Sequence, residues 1–308
     1  MNTIRLLVRI ALCAAFSLSV LPEAHAQFTY TFFPNDATIA SAIDTDFNFV
    51  GFAGGSYDDD FNRNFFPPSS PTVNVIDGAS IPNGLDINNS SIVNITGGSL
   101  GFTVANDHSR VNVSGGSTSF LLAVDNATVD MTQGSVDDLE LQGYRGTVRG
   151  GTVITKLVAN SQSSMFGDVL GSCIVDVTGG NIAGELDAYN SGILNLYGGQ
   201  LGGDLYAAHG GTINIFGVGL TTSLLDAHVN NRYSLYSLSG TLSDGAPLNN
   251  KNLYILNDGV TYGHSSFNLV PTAVPEPGNV ALVLTGAITT TALSLRRRRV
   301  SRGLTKTQ

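Results

Sequence analysis

One phrase returns along most of this chain and restricts what it can fold into. Ile92-Val-Asn-Ile-Thr-Gly-Gly98 recurs as Val111-Asn-Val-Ser-Gly-Gly116 and Val129-Asp-Met-Thr-Gln-Gly134. A weak copy, Thr147-Val-Arg-Gly-Gly151, follows. Clear copies come next at Ile174-Val-Asp-Val-Thr-Gly-Gly180, Ile193-Leu-Asn-Leu-Tyr-Gly-Gly199 and Ile213-Asn-Ile-Phe-Gly217, and Val73-Asn-Val-Ile-Asp-Gly78 opens the series. The spacing is 17 to 20 residues, apart from one step of 29 that holds an insertion around Ser161–Ser172. A second short alternating segment sits in each unit: Leu85-Asp-Ile87, Phe102-Thr-Val104, Leu139-Glu-Leu141, Leu157-Val-Ala159, Leu186-Asp-Ala188 and Leu205-Tyr-Ala207. In a strand such triplets send the outer pair to one face and the middle residue to the other.

Glycines and Asn-Ser or Asp-Asn clusters separate the segments and supply positive φ at corners. The period matches one turn of a coil that needs neighbours above and below to bury its apolar side, and about eight such turns would make a rod. The predicted fold is therefore all-β: a single-stranded parallel β-helix or solenoid over residues 72–220. A β-sandwich of short strands is the competing fold. Residues 27–71, rich in aromatics and ending in Pro67-Pro68, read as an N-terminal β cap. Residues 221–270 leave the period and read as a C-terminal β cap, which a solenoid needs to protect its open edges.

Composition agrees with a turn-rich β protein: 36 glycines, no tryptophan, and Asn, Ser, Thr and Asp at the polar positions. Residues 27–274 hold 22 acidic and 7 basic side chains, a net of −15. Such a surface repels nucleic acid and anionic lipid and could attract divalent cations.

The two ends are of another kind. Arg5 and Arg9 precede an apolar run from Ile10 to Leu21, and Ala24-His25-Ala26 forms an A-x-A site, so residues 1–26 read as a signal peptide with Gln27 as the new first residue. Leu12 stands before Cys13 where a lipoprotein wants a small residue. Removal of the leader would leave Cys173 as the one cysteine, excluding an intramolecular disulfide. At the other end Pro275-Glu276-Pro277 is followed by an apolar run and by Arg296, Arg297, Arg298 and Arg299. The 16 apolar residues from Val280 to Leu295 would reach about 24 Å as a helix, against roughly 30 Å of hydrocarbon. Segment 279–295 is predicted as a transmembrane helix with its arginines on the cytoplasmic side.

This order of motif, membrane-length stretch and basic stop resembles the C-terminal sorting signal of bacterial PEP-CTERM proteins, over residues 274–299. The resemblance implies recognition by an exosortase, transient membrane anchoring and export to the cell surface or an extracellular polysaccharide matrix. Residues 300–308 depart from the family, which usually ends sooner. The run Leu238–Leu248 is similar to the β segment that often precedes that signal.

For chemistry, the outward positions Asn74, Asn94, Asn112, Asp130, Asp176, Asn195 and Asn214 form a polar column, with Arg149 nearby. It reads either as a stripe for sugar hydroxyls or cations, or as a solvated face whose amides bond adjacent coils. Asp58, Asp59 and Asp60 with Asn62 could bind calcium through hard oxygens, although the spacing is not that of an EF-hand loop. No other cofactor is implied. Asp137, Asp138 and Glu140, with Arg145 and Arg149 in the next stretch, bring both signs together and would suit a polysaccharide lyase or hydrolase. His108, His209 and His228 share no metal-ligand spacing, though His209 and His228 stand one period apart. Thr-x-Thr ladders of an ice-binding solenoid are interrupted at Ser114, Tyr197 and Phe216. The sequence as a whole reads as an exported, non-enzymatic surface or matrix protein associated with polysaccharide, with a β-helix lyase or hydrolase second and an ice- or cation-binding solenoid third.

Overall fold

A computed structural model of the chain describes residues 30–51, 69–142, 144–161, 173–230, 232–256 and 264–272. The leader with Ala24, Ala26 and Gln27, the Asp58–Asp60 triplet, most of the insertion, and the C-terminal signal with Pro275, Glu276, Pro277, Arg296–Arg299 and segment 279–295 lie outside those residues. Among the described residues no helix is long and apolar enough to cross a membrane.

The fold is all-β. Its strands are β1 (Tyr30–Phe33), β2 (Ala37–Ile39), β3 (Phe47–Val50), β4 (Thr72–Val75), β5 (Ser80–Ile81), β6 (Asp86–Ile87), β7 (Ile92–Ile95) and β8 (Ser99–Ala105). Then come β9 (Arg110–Ala123), β10 (Thr128–Leu141), β11 (Arg145–Val148), β12 (Thr152–Asn160), β13 (Ile174–Ile182) and β14 (Glu185–Tyr189). The last six are β15 (Ile193–Leu201), β16 (Leu205–Ala208), β17 (Thr212–Val229), β18 (Tyr233–Leu242), β19 (Pro247–Leu256) and β20 (Ser266–Pro271). All twenty join one hydrogen-bonded sheet. Long strands run through corners and pair on either side of them, so the sheet closes on itself with the connectivity of a 10-strand barrel.

Almost every pairing is parallel and joins residues one repeat apart. Val93 faces Val111 and Ile95 faces Val113 across β7 and β9, and Val111 faces Val129 in β10. The same column passes through Gly146 to Val175, Leu194 and Ile213. These side chains are buried, as are the partner column Val75, Ile95, Val113, Met131, Val148, Val177, Leu196 and Ile215. The weak repeat is weak because a glycine takes the place of a valine. A Cβ at Gly146 would come within 2.5 Å of Leu141 Cδ2, so Leu141 already fills that space.

Three faces follow from the corners. The first carries the asparagine phrase. The second is formed by β3, β6, the C-terminal halves of β8, β9, β10 and β12, and then β14, β16 and β19. A short third face pairs Ile81, Leu100, Thr118, Val136, Val153, Ile182 and Leu201.

One part of the sequence reading needs correction. In Phe102-Thr-Val104 the inward residue is Thr103, fully buried, while Phe102 is 40% exposed. The register sets Thr103 against Leu121 and Ala105 against Ala123; a one-residue shift exchanges the faces of a strand. The region after residue 221, predicted as a C-terminal β cap, holds two kinds of pairing. The C-terminal half of β17 forms an antiparallel meander with β18 and β19. β19 and β20 then rejoin the parallel ladder, Leu253-Tyr-Ile255 lying on Leu205-Tyr-Ala207 and Phe267-Asn-Leu269 on Ile213-Asn-Ile215. At the other end, β2 and β3 of the predicted N-terminal cap pair in parallel with β4 and β6.

Candidate functional site: two polar columns

On the first face the register stacks Asn74, Asn94, Asn112, Asp130, Thr147, Asp176, Asn195, Asn214 and Asn268. Their amides bond one another. Asn94 Nδ2 donates to Asn74 Oδ1 at 2.8 Å, and Asn112 Nδ2 to Asn94 Oδ1 at 2.8 Å. After a gap, Asn195 donates to Asp176 Oδ1 at 2.8 Å, Asn214 to Asn195 at 2.8 Å and Asn268 to Asn214 at 2.7 Å. Stacking at the strand repeat of about 4.8 Å sets identical amides at bonding distance, as in other parallel in-register sheets.

The gap has a chemical cause. A carboxylate at Asp130 has no N–H to offer Asn112, whose Oδ1 instead accepts from Arg110 Nε at 3.0 Å. Thr147 stands between the two carboxylates in the column, and the break is held by cations. Arg149 Nη2 lies 3.4 Å from Asp130 Oδ2, and Arg145 Nη2 donates to Asp176 Oδ2 at 2.5 Å. That hydrogen bond, with the charge of Asp176, pushes the Arg145 guanidinium up from its ordinary value. Asp130 Oδ1 is buried with no hydrogen-bond partner among the described residues.

The second face carries another cluster of charges. Lys156 in β12 sits directly between Asp138 of β10 and Glu185 of β14. Two residues along, Glu140, Val158 and Asp187 form the adjoining column. Lys156 Nζ makes its ion pair with the diagonal Asp187 Oδ2 and lies 5.5 Å from the centre of the Tyr189 ring. Asp187 is fully buried, and its Oδ1 has no hydrogen-bond partner among the described residues. Burial pushes its carboxyl up to about 6 against the pull of Lys156, with Glu185 and Glu140 adding to the rise. Burial, then Asp137, also raises Asp138. Glu140 Oε1 accepts from Gln142 at 2.7 Å and from Asn160 at 3.2 Å.

Further along this face Tyr206 stacks on Tyr254 at 4.6 Å, and Tyr233 meets Tyr254 edge-on at 6.4 Å. Tyr206 is pushed up to about 12, chiefly by burial. Phe102 and Phe120 stack at 4.7 Å in the N-terminal half.

The expected cluster of Asp137, Asp138 and Glu140 with Arg145 and Arg149 is not brought together. Between its two halves β10 rounds the corner at Gly134, so the carboxylates of its C-terminal half face Lys156 while Arg149 pairs with Asp130 on the first face. His209 stacks on Tyr189 at 6.3 Å, at a corner where its φ is +52°. His228 does not continue that column, because it lies in the antiparallel part of β17. No group of three or more His, Cys, Asp or Glu among the described residues could hold a metal ion. Asn268 and the pair Lys156–Asp187 escaped sequence reasoning. The signal for Asn268 was present in Phe267-Asn-Leu269, which repeats the phrase without its glycines. No family model, curated protein or solved structure matches this chain.

Proposed function

We propose that the closed sheet is wound as a single-stranded parallel β-solenoid and that the protein is an exported, non-enzymatic component of a cell surface or extracellular matrix. The observation that carries this reading is where the polar groups go. The amides of the first face bond to the next coil, and the three ion pairs among the described residues, Arg145–Asp176, Arg149–Asp130 and Lys156–Asp187, each join different repeats. Side chains used in this way stiffen a rod and leave little free for turning over a substrate. The parallel register at one repeat per step supports a coil, since strands of an up-and-down barrel run antiparallel. Delivery rests on the two ends: the leader, and the tail that resembles an exosortase substrate. The acidic exterior suits association with polysaccharide rather than nucleic acid.

Two measurements test this. Protein recovered from the native envelope is expected to lack Arg296–Arg299 by mass analysis; a mature chain still carrying them would make the tail a plain anchor. Incubation with uronate-containing and neutral glycans is expected to leave them intact. New reducing ends or unsaturated products would instead favour a lyase or hydrolase using the carboxylates around Lys156.

A further inference from the structure

The pair Lys156–Asp187 stands apart from the other two ion pairs. Asp130 and Asp176 keep part of their side chains in solvent, at 23% and 12%, and their arginines are more than half exposed. The Asp187 side chain is 1% exposed and Lys156 35%. Lys156 also passes over Glu185, its directly opposed and exposed neighbour in register, to reach the buried carboxylate diagonal to it. Both ends are fixed by parallel ladders: β12 and β14 pair from Lys156–Glu185 through Asn160–Tyr189. Val158 and the Tyr189 ring flank the contact, and its carboxyl end is shut away from solvent.

An amine and a carboxyl in that relation are poised for more than attraction. Holding two reactants in contact on rigid elements removes most of the entropic barrier to their joining. Burial favours the neutral form of the Asp187 carboxyl, since a buried charge is costly. The elevated Asp187 carboxyl is in keeping with this. We propose that Lys156 and Asp187 join in an intramolecular isopeptide bond that links adjacent coils of the rod.

The step balances within the pair. The ammonium proton moves to the Asp187 carboxylate, giving a neutral amine and a neutral acid. Nζ attacks Cγ to form a tetrahedral centre. The former carboxyl hydroxyl leaves as water, carrying one proton from Nζ. One N–C bond forms, one C–O bond breaks, one water is lost, and no oxidant, metal or cofactor takes part. Asp138 and Glu185, on either side of Lys156, and Glu140, beyond Val158, are further carboxylates on this face able to relay protons during the step.

The test uses the full chain, digested with trypsin after denaturation. Lys156 is followed by no lysine or arginine until Arg232, so a free amine gives cleavage after Lys156. A linked Lys156 resists cleavage, and the fragment 150–232 is expected to weigh one water less than its sequence. In Asp187→Ala, cleavage after Lys156 and the full mass should return. A wild-type chain cut completely after Lys156, with both fragments at full mass, overturns the proposal. Should D187A fail to fold, the wild-type digest decides alone.

Discussion

Thr103 carries a hydroxyl into the core with nothing to bond it. Its side chain is fully buried, and Oγ1 has no hydrogen-bond partner among the described residues. Replacing the hydroxyl by a methyl removes an unsatisfied polar group at constant shape. Thr103→Val should therefore stabilise the protein by about 1 kcal/mol, seen as a raised thermal midpoint; a lowered midpoint would show that the hydroxyl is bonded after all. Thr103 also marks the limit of reading single residues from pattern. Phe102-Thr-Val104 has the apolar–polar–apolar form of an inward-facing pair, and hydrophobicity alone points Phe102 inward. The neighbouring strand decides otherwise. Phe102 stacks on Phe120 outside, in the register that sends Thr103 in. The asparagine column was readable because its spacing is regular. The Lys156–Asp187 contact was not, because it runs diagonally across two strands that the 29-residue step separates in sequence.

At the scale of elements, corners matter most. The glycines that end the phrase, among them Gly98, Gly116, Gly134, Gly151, Gly180 and Gly199, have positive φ and lie one above another. At Gly116 (φ +67°) an added Cβ would lie 2.5 Å from Gly97 O, a backbone atom that cannot swing away. At Gly219 (φ +61°) the same Cβ would meet nothing within 4 Å. The two sites separate conformational strain from collision. Gly219→Ala should cost only the backbone term, about 1 kcal/mol. Gly116→Ala adds the clash and should cost on the order of 3 kcal/mol or more. Denaturation of both variants reads the difference, and equal losses would mean that the stacked corners have room to spread. The meander from β17 to β19 was beyond sequence reading for a related reason. Its alternation predicts strands, and nothing local states that β19 and β20 return to the ladder 48 and 54 residues after their partners.

For the whole molecule, those returning strands are the closing layer. Without β19 and β20, the backbone of β16 and of the first half of β17 would be an open parallel edge, which recruits other chains. A chain ending after residue 246 is thus expected to self-associate, measurable by light scattering, while the full-length protein does not. A truncated chain that stays monomeric would assign the protection of this end to the β17–β18 pair alone. The class and the period were apparent from the repeat, since each unit is a local statement made many times. The need for a C-terminal cap was apparent too, but not the partners of its strands, because they pair with segments about fifty residues earlier. One consequence concerns direction. In each bonded asparagine pair the later residue is the donor and the earlier one the acceptor. Backbone dipoles of a sheet largely cancel, but these side-chain dipoles all align. The column is therefore an electrical vector, its positive sense toward the first strands, reset once at Asp130. A molecule or surface meeting this protein lengthwise would feel which way it points.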